Sequence, residues 1–215
     1  LEGKPFNKRY ILLTVDDAFK SFYENAWPLL KENKIPFILF VNTREVSGNH
    51  PNYMDWNQIR ELRDSGIVTI GGHSWSHEYF VNMKINEVKQ DIEQSHKDYL
   101  KELKVIPDIY AHTFGETNSD IIKLIRSFNY KILFGQHSGV ISLNENINYL
   151  PRFSLNENYG KINRFKNILK SRAFNIQSYE PKTILLNQNN NPTNMKLNFK
   201  ENVKGINCFD NSGGN

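Results

Sequence analysis

Short apolar runs alternate with helix-period segments along most of the chain. Tyr10 to Val15 and Pro36 to Val41 ("PFILFV") have the length and the β-branched and aromatic content of buried strands, and Phe19 to Glu32 between them can form a crossover helix. Strands joined by such a crossover pair in parallel. The pattern then repeats, with a helix over Asn57 to Ser65 closed by Gly66, a strand at Ile67 to Ile70, and a long helix from about Asn86 to Lys104. Along that helix and its lead-in, Ile85, Val88, Ile92, His96, Tyr99 and Leu103 recur at spacings of three and four and form one continuous face. That face makes His96 a packed core histidine rather than a ligand. A strand at Ile109 to His112, a helix near Ser119 to Phe128, and strands at Lys131 to Phe134 and Tyr149 to Arg152 continue the alternation. Repeated β-then-α units predict an α/β fold, a barrel or a doubly wound sheet. The barrel puts chemistry at the C-terminal ends of its strands.

After Pro181 the texture changes to an Asn-rich stretch, a proline-containing linker at Asn189 to Pro192, and short alternating segments with turn residues. The expected division is residues 1–180 as the α/β domain and 181–215 as a linker and the start of a small β-rich C-terminal module.

Composition narrows the class. A chain of 215 residues with 39% hydrophobic and 13% aromatic content is long enough to bury a sizeable core. No apolar run approaches the roughly 20 residues of a membrane span, and the chain starts at Leu1 without a charged-then-apolar leader, as if a signal segment were removed or never present. The net charge of +4 is scattered, without a basic stripe interleaved with aromatics, which argues against a nucleic-acid partner. A single cysteine, Cys208, excludes an internal disulfide and reads as a small buried apolar residue. Compartment and oligomeric state stay open on these grounds.

Two stretches carry candidate chemistry. "RYILLTVDDAFKSF" delivers Asp16 and Asp17 where the first strand ends; the plain alternative is that one of them caps the next helix. "VTIGGHSWSHEYF" places His73 and His77 four residues apart directly after a strand, a spacing that on one helical turn lets both imidazoles reach one cation. Ser74 stands where a zincin would need glutamate, so a base must come from elsewhere. Two histidines and one aspartate suit a divalent metal, zinc best, with cobalt, nickel or iron admissible, and the neighbouring aspartate is left to take a proton.

"LTVDDAF" followed by "GGHSWSH" resembles the polysaccharide deacetylase family, also called the NodB-homology or carbohydrate esterase four family, whose members carry T-F-D-D and H-S-x-x-H motifs. "MDWNQIRELRDSGIVTIGGHS" resembles the family's lead-in to its histidines, and the resemblance runs from about Tyr10 to Phe153. It implies a distorted, incomplete (β/α) barrel that removes N-acetyl or O-acetyl groups from an acetylated glycan. It also implies Asp16 as general base, and Asp17, His73 and His77 as metal ligands. The family's setting implies the cell envelope, periplasmic or extracellular, with a cytoplasmic location still open. Thr14 would lend a hydrogen bond, or is simply a β-branched strand residue.

The departures define the open questions. "YAHTFGETN" has no arginine and puts Thr113 where the family's third motif has proline, although the Phe114 backbone N–H could still serve an oxyanion. His112 either lines the pocket or is a satisfied polar residue, and Arg152 either holds the base ionised or makes a surface ion pair. The family's L-x-H acid is missing, which leaves His137 in "FGQHSGV" as the substitute, unless a rearranged motif order puts the acid before Leu1. Trp75 and Tyr79 could stack on a sugar face or fill the barrel mouth. Three functions follow: a metal-dependent polysaccharide deacetylase, a glycan-binding or scaffold protein on the same fold, and a metal-dependent amidase acting on a small amide.

Overall fold

The computed structural model describes residues 10–142, 145–173, 176–180, 194–200 and 203. The chain divides into two compact units, 1–171 and 172–215. In the first, strands β1 (Leu13–Asp16), β2 (Phe37–Val41), β3 (Val68–Gly72), β4 (Ile109–Ala111) and β5 (Ile132–Phe134) pair in parallel in the order β1-β2-β3-β4-β5. Helices α1 (Lys20–Asn25), α2 (Trp27–Glu32), α3 (Thr43–Ser47), α4 (Trp56–Asp64), α5 (Ile85–Leu103), α6 (Ser119–Ser127) and α7 (Ile162–Lys170) complete it. A sequential, all-parallel sheet that does not close is the distorted, incomplete (β/α) barrel expected from the motifs.

Alternation along the strands sorts the core into two layers. Leu13, Val15, Phe37, Leu39, Val41 and Val68 pack with Trp27, Trp56, Ile59 and Leu62 of the surrounding helices. Ile38 and Phe40 point the other way, into an inner cluster with Ala111, Phe134 and Leu150. Gly71 is required there, since a Cβ at that position would stand 2.4 Å from the Phe40 ring. Every residue of β2 is buried, as a strand covered on both faces should be.

Several boundaries differ from expectation for identifiable reasons. The expected helix over 19–32 is two helices separated at Ala26, because Pro28 in the first turn of α2 cannot continue the hydrogen bonds of α1. Hydrogen bonding of the first strand begins at Leu13, and Tyr10, Ile11 and Leu12 are exposed. The expected strand at 149–152 reduces to one parallel bridge, Leu150 to Phe134. On α5 the buried stripe starts at Val88, because Ile85 in the first turn is exposed. His96 lies on that stripe, half-buried, with Nε2 3.1 Å from the Tyr130 hydroxyl and its ring against Phe128 and Tyr130. The short α3 and the amphipathic α7 had no counterpart in the pattern reading.

The second unit contains β6 (Ile176–Glu180) antiparallel to β7 (Lys196–Phe199). Cys208 and the Asn189 to Pro192 linker lie outside the described residues.

Candidate active site

The C-terminal ends of β1 and β3 supply the acidic and imidazole groups. Asp16 is the last residue of β1 on the inward-facing parity of Thr14, and its carboxylate meets the Arg152 guanidinium in a two-pronged contact, Nη1 to Oδ1 at 2.6 Å and Nη2 to Oδ2 at 2.9 Å. Gln136 Nε2 also donates to Asp16 Oδ2, at 3.2 Å. Arg152 is itself fixed, with Nε donating to the Gly135 carbonyl at 2.7 Å, Nη1 to the Thr14 hydroxyl at 3.1 Å, and its guanidinium 5.3 Å from the Phe40 ring centroid. Burial alone would raise the Asp16 pKa, but the charge of His73 and the Arg152 fork outweigh it and hold the carboxyl below its ordinary value. Asp16 is therefore an ionised carboxylate with its protons kept away.

Immediately after it the backbone turns. Asp17 and Ala18 both take positive φ, 73° and 60°, which swings the Asp17 carboxylate toward the histidines. Its Oδ1 lies 3.3 Å from His73 Nε2 and 3.0 Å from His77 Nε2.

His73 and His77 reach this point by a route the spacing did not suggest. Residues 73–77 form an irregular loop, with Ser74 and His77 at positive φ (68° and 57°), rather than a helical turn. The helix argument for the pair is therefore wrong, although the two rings do meet, with centroids 5.1 Å apart. Hydrogen bonds from all sides set the loop. The Ser74 hydroxyl accepts from His77 N at 2.9 Å, and Asp91 on α5 accepts from Trp75 N at 2.7 Å and Ser76 N at 3.0 Å. The Ser74 and Trp75 carbonyls accept from the Thr43 and Arg44 N–H groups at the start of α3.

The donor set fits a cation. Ligand atoms of Asp17, His73 and His77 all lie within 4.8 Å of one another. His73 Nδ1 donates to the Ala111 carbonyl at 2.7 Å, which fixes the tautomer and leaves Nε2 to ligate. Asp17 Oδ1 and His73 Nε2 are buried and, despite their proximity, make no hydrogen bond of sound geometry. Three convergent donors that do not satisfy one another are a set that could hold a divalent cation.

The remaining candidates lie around the ends of β3, β4 and β5. His112 is 1% exposed, packed edge-on against Tyr110 and Tyr149, with neither ring nitrogen making a hydrogen bond of sound geometry among the described residues; burial pushes its pKa down to about 3, so it is neutral. Phe114 takes φ 56°, and its N–H has no hydrogen-bond partner among the described residues. The Phe114 ring stacks on Tyr79 at 3.6 Å and lies 4.7 Å from the His77 ring. Trp75 is covered by the Arg44 guanidinium at 5.6 Å. His137 stacks on Tyr149 at 4.4 Å, burial lowers its pKa, and among the described residues no hydrogen bond joins it to either aspartate or to the other histidines.

Against known proteins, residues 3–133 match the family described as polysaccharide deacetylase. The chain belongs to the polysaccharide deacetylase family. The poly-beta-1,6-N-acetyl-D-glucosamine N-deacetylase of Staphylococcus aureus is 27% identical over 167 residues, covering 73% of this chain and 57% of that protein. The chain thus spans little more than half the length of that relative. Among solved structures, the deacetylase PplD of Streptococcus pyogenes in complex with acetate superposes with a TM-score of 0.71 at 19% identity, covering 79% of this chain and 74% of that one. IcaB from Ammonifex degensii gives 0.64 at 20% identity, covering 74% and 72%. These likenesses establish the fold.

Arg152 and His137 lie beyond the stretch matched to the deacetylase family, so their placement rests on this chain's own geometry. Sequence reasoning missed Gln136 and Asp91. Gln136 follows β5 much as Asp16 ends β1, and strand-end position was the available signal. Asp91 is a carboxylate on the stripe of Val88, Ile92 and Ser95, all buried on α5, and a charge on an apolar face was its signal.

Proposed function

We propose that this chain is the catalytic part of a metal-dependent N-deacetylase acting on a polymer of N-acetylhexosamine. The observation that carries this reading is the division of labour between adjacent carboxylates: Asp17 joins two imidazoles, whereas Asp16 is forked by Arg152 and stays outside that cluster. A scaffold that only binds metal would have no use for the second. Asp17, His73 and His77 would hold the divalent ion, with zinc the best match to two imidazoles and one carboxylate. Such an ion supplies Lewis-acid polarisation of the acetyl carbonyl and acidifies water toward a pKa of ~7.

The chain's own groups would do the rest. Asp16, ionised and within the barrel mouth, takes the proton of the attacking water as the new C–O bond forms. The unspent Phe114 N–H donates to the carbonyl oxygen as it gains charge. The C–N bond then breaks, the amine nitrogen receives a proton, and acetate leaves. His137 is our candidate for that last donation, because the side chain of its neighbour Gln136 already touches Asp16. Burial holds His137 neutral, so it would act only after receiving a proton within the cycle. The Tyr79–Phe114 stack beside His77 offers the sugar a flat aromatic face, and a polymeric acetylated glycan would place the protein at the cell envelope. For His112 we propose a place in the pocket wall, behind the groups that touch substrate.

A β-1,6-linked substrate is favoured by the name of the Staphylococcus relative. The test is acetate release from β-1,6-linked and β-1,4-linked N-acetylglucosamine oligomers by zinc-loaded and metal-stripped protein. Metal-dependent release with preference for the β-1,6 series supports the reading. Bound zinc with no acetate from either series would favour the glycan-binding alternative.

A further inference from the structure

Among the described residues, the buried polar side-chain atoms without partners fall into two sets. Those of Tyr110, His112 and Asn148 lie on or directly after β4 and in the segment after β5; Asp17 Oδ1, His73 Nε2 and both polar atoms of Asn42 lie at the ends of β1, β2 and β3. Asn42 follows β2 directly and is 1% exposed. It stands at the N-cap position of α3, where an asparagine side chain ordinarily bonds to the first free N–H groups, yet it makes no such bond. Its backbone is extended (φ −87°, ψ 120°), so the alternation of β2 continues through it. Ile38 and Phe40 face the inner cluster, and Asn42 is the next residue on that parity. Val41 pairs with Gly72, and His73 N donates to the Val41 carbonyl, so Asn42 is level with His73 on the neighbouring strand.

In the sheet order β1-β2-β3, the contact between Asp17 and His73 passes over the end of β2. The inward-facing residue there is Asn42, level with His73 and two positions beyond Phe40, the register partner of Asp16. Asp17 Oδ1 lies close to both Nε2 atoms without a hydrogen bond of sound geometry. With a cation held, the Nε2 lone pairs would be directed at the ion and would offer the carboxylate no donor. A ligating carboxylate then needs another donor for its second oxygen. Of the buried unspent donors among the described residues, the Asn42 amide is the one at this point of the barrel.

We propose that Asn42 is a positioning residue of the cation site, its Nδ2 donating to the Asp17 carboxylate when Asp17, His73 and His77 hold a divalent ion. The assignment rests on the metal reading above and explains why an asparagine is buried here without a bond.

The experiment measures zinc affinity by chelator competition, and melting of the metal-free protein, for wild type and for Asn42→Leu, Asn42→Ala and Asn42→Ser. Asn42→Leu is expected to melt no lower than wild type without metal, since it removes two unpaired buried atoms, yet to bind zinc ~10- to 100-fold more weakly. Asn42→Ala and Asn42→Ser have nearly the same volume, so several-fold tighter zinc binding by Ser than by Ala isolates the donor. Wild-type affinity in all three variants overturns the assignment while leaving the metal reading intact, as does a common loss with Ala and Ser equal. Wild-type protein that binds no zinc overturns both.

Discussion

The rim over β1 to β3 and the rim over β4 and β5 belong to one barrel but are built in opposite ways. Over β1 to β3, polar groups converge and backbone groups hold them: Asp17, His73 and His77 meet within 4.8 Å, and the histidine loop is fastened by Asp91, Ser74 and the start of α3. Over β4 and β5, the two histidines are packed on aromatic rings, His112 against Tyr110 and Tyr149 and His137 on Tyr149. The first rim is organised for charge before any ligand arrives. The second is an aromatic wall in which burial keeps the imidazoles neutral. Asp16 stands between them, ending the first strand but held by Arg152 and Gln136 from beyond the fifth.

The largest effects should come from the first rim. Asp17→Ala, His73→Ala and His77→Ala should each lose zinc by elemental analysis and reduce acetate release to background. Asp16→Asn should retain zinc and fold normally while losing ~10²- to 10⁴-fold in kcat, the usual range for a general base. Full turnover in that variant would remove Asp16 from its proposed role. Arg152→Lys breaks the fork, so the Asp16 pKa rises toward its ordinary value and the acidic limb of the pH–rate profile moves to higher pH, with kcat/KM down ~10-fold at neutral pH. An unmoved acidic limb would show that the limb belongs to another group.

Smaller effects should mark the second rim and the supports. Asp91→Ala leaves the Trp75 and Ser76 N–H groups without their acceptor, at a cost of about 1–3 kcal/mol in denaturant unfolding. His112 tests the neutral wall through stability alone. Its folded pKa is depressed to about 3, whereas an unfolded histidine titrates near ~6.5. Below that value the unfolded chain binds a proton that the folded chain refuses, so stability falls as pH drops toward 3, by about 2 kcal/mol at pH 5. His112→Leu should flatten this part of the stability curve, and an unchanged slope would mean that His112 is not the group responsible.

Legibility in the sequence followed the same division. The unbroken apolar run of β2 and the stripe on α5 are statements about which faces are buried, and burial patterns are written into residue order. The carboxylates and histidines could be read because strand ends set their position. The means of convergence could not be read: His73 and His77 meet through two left-handed residues, Ser74 and His77, rather than a helical turn. Nor could the fate of "YAHTFGETN", where the direction of His112 and Phe114 depends on packing with Tyr149 and Tyr79, far away in the chain or in another loop. Arg152 was readable only as a candidate, since a guanidinium 136 residues away has no local signature.

That separation bears on how the molecule folds. The fork joins the end of the first strand to a segment that follows the other four strands along the chain, making it a closure of very long loop length among otherwise neighbouring strand contacts. The groups that hold the histidines, Asp91 on α5 and the Ala111 carbonyl on β4, all precede Arg152 in the chain, so Asp17, His73 and His77 can be brought together while Asp16 still lacks its guanidinium. The three-donor cluster would then be complete before Asp16 gains its partner, and a chain interrupted ahead of Arg152 would present the cluster without the fork.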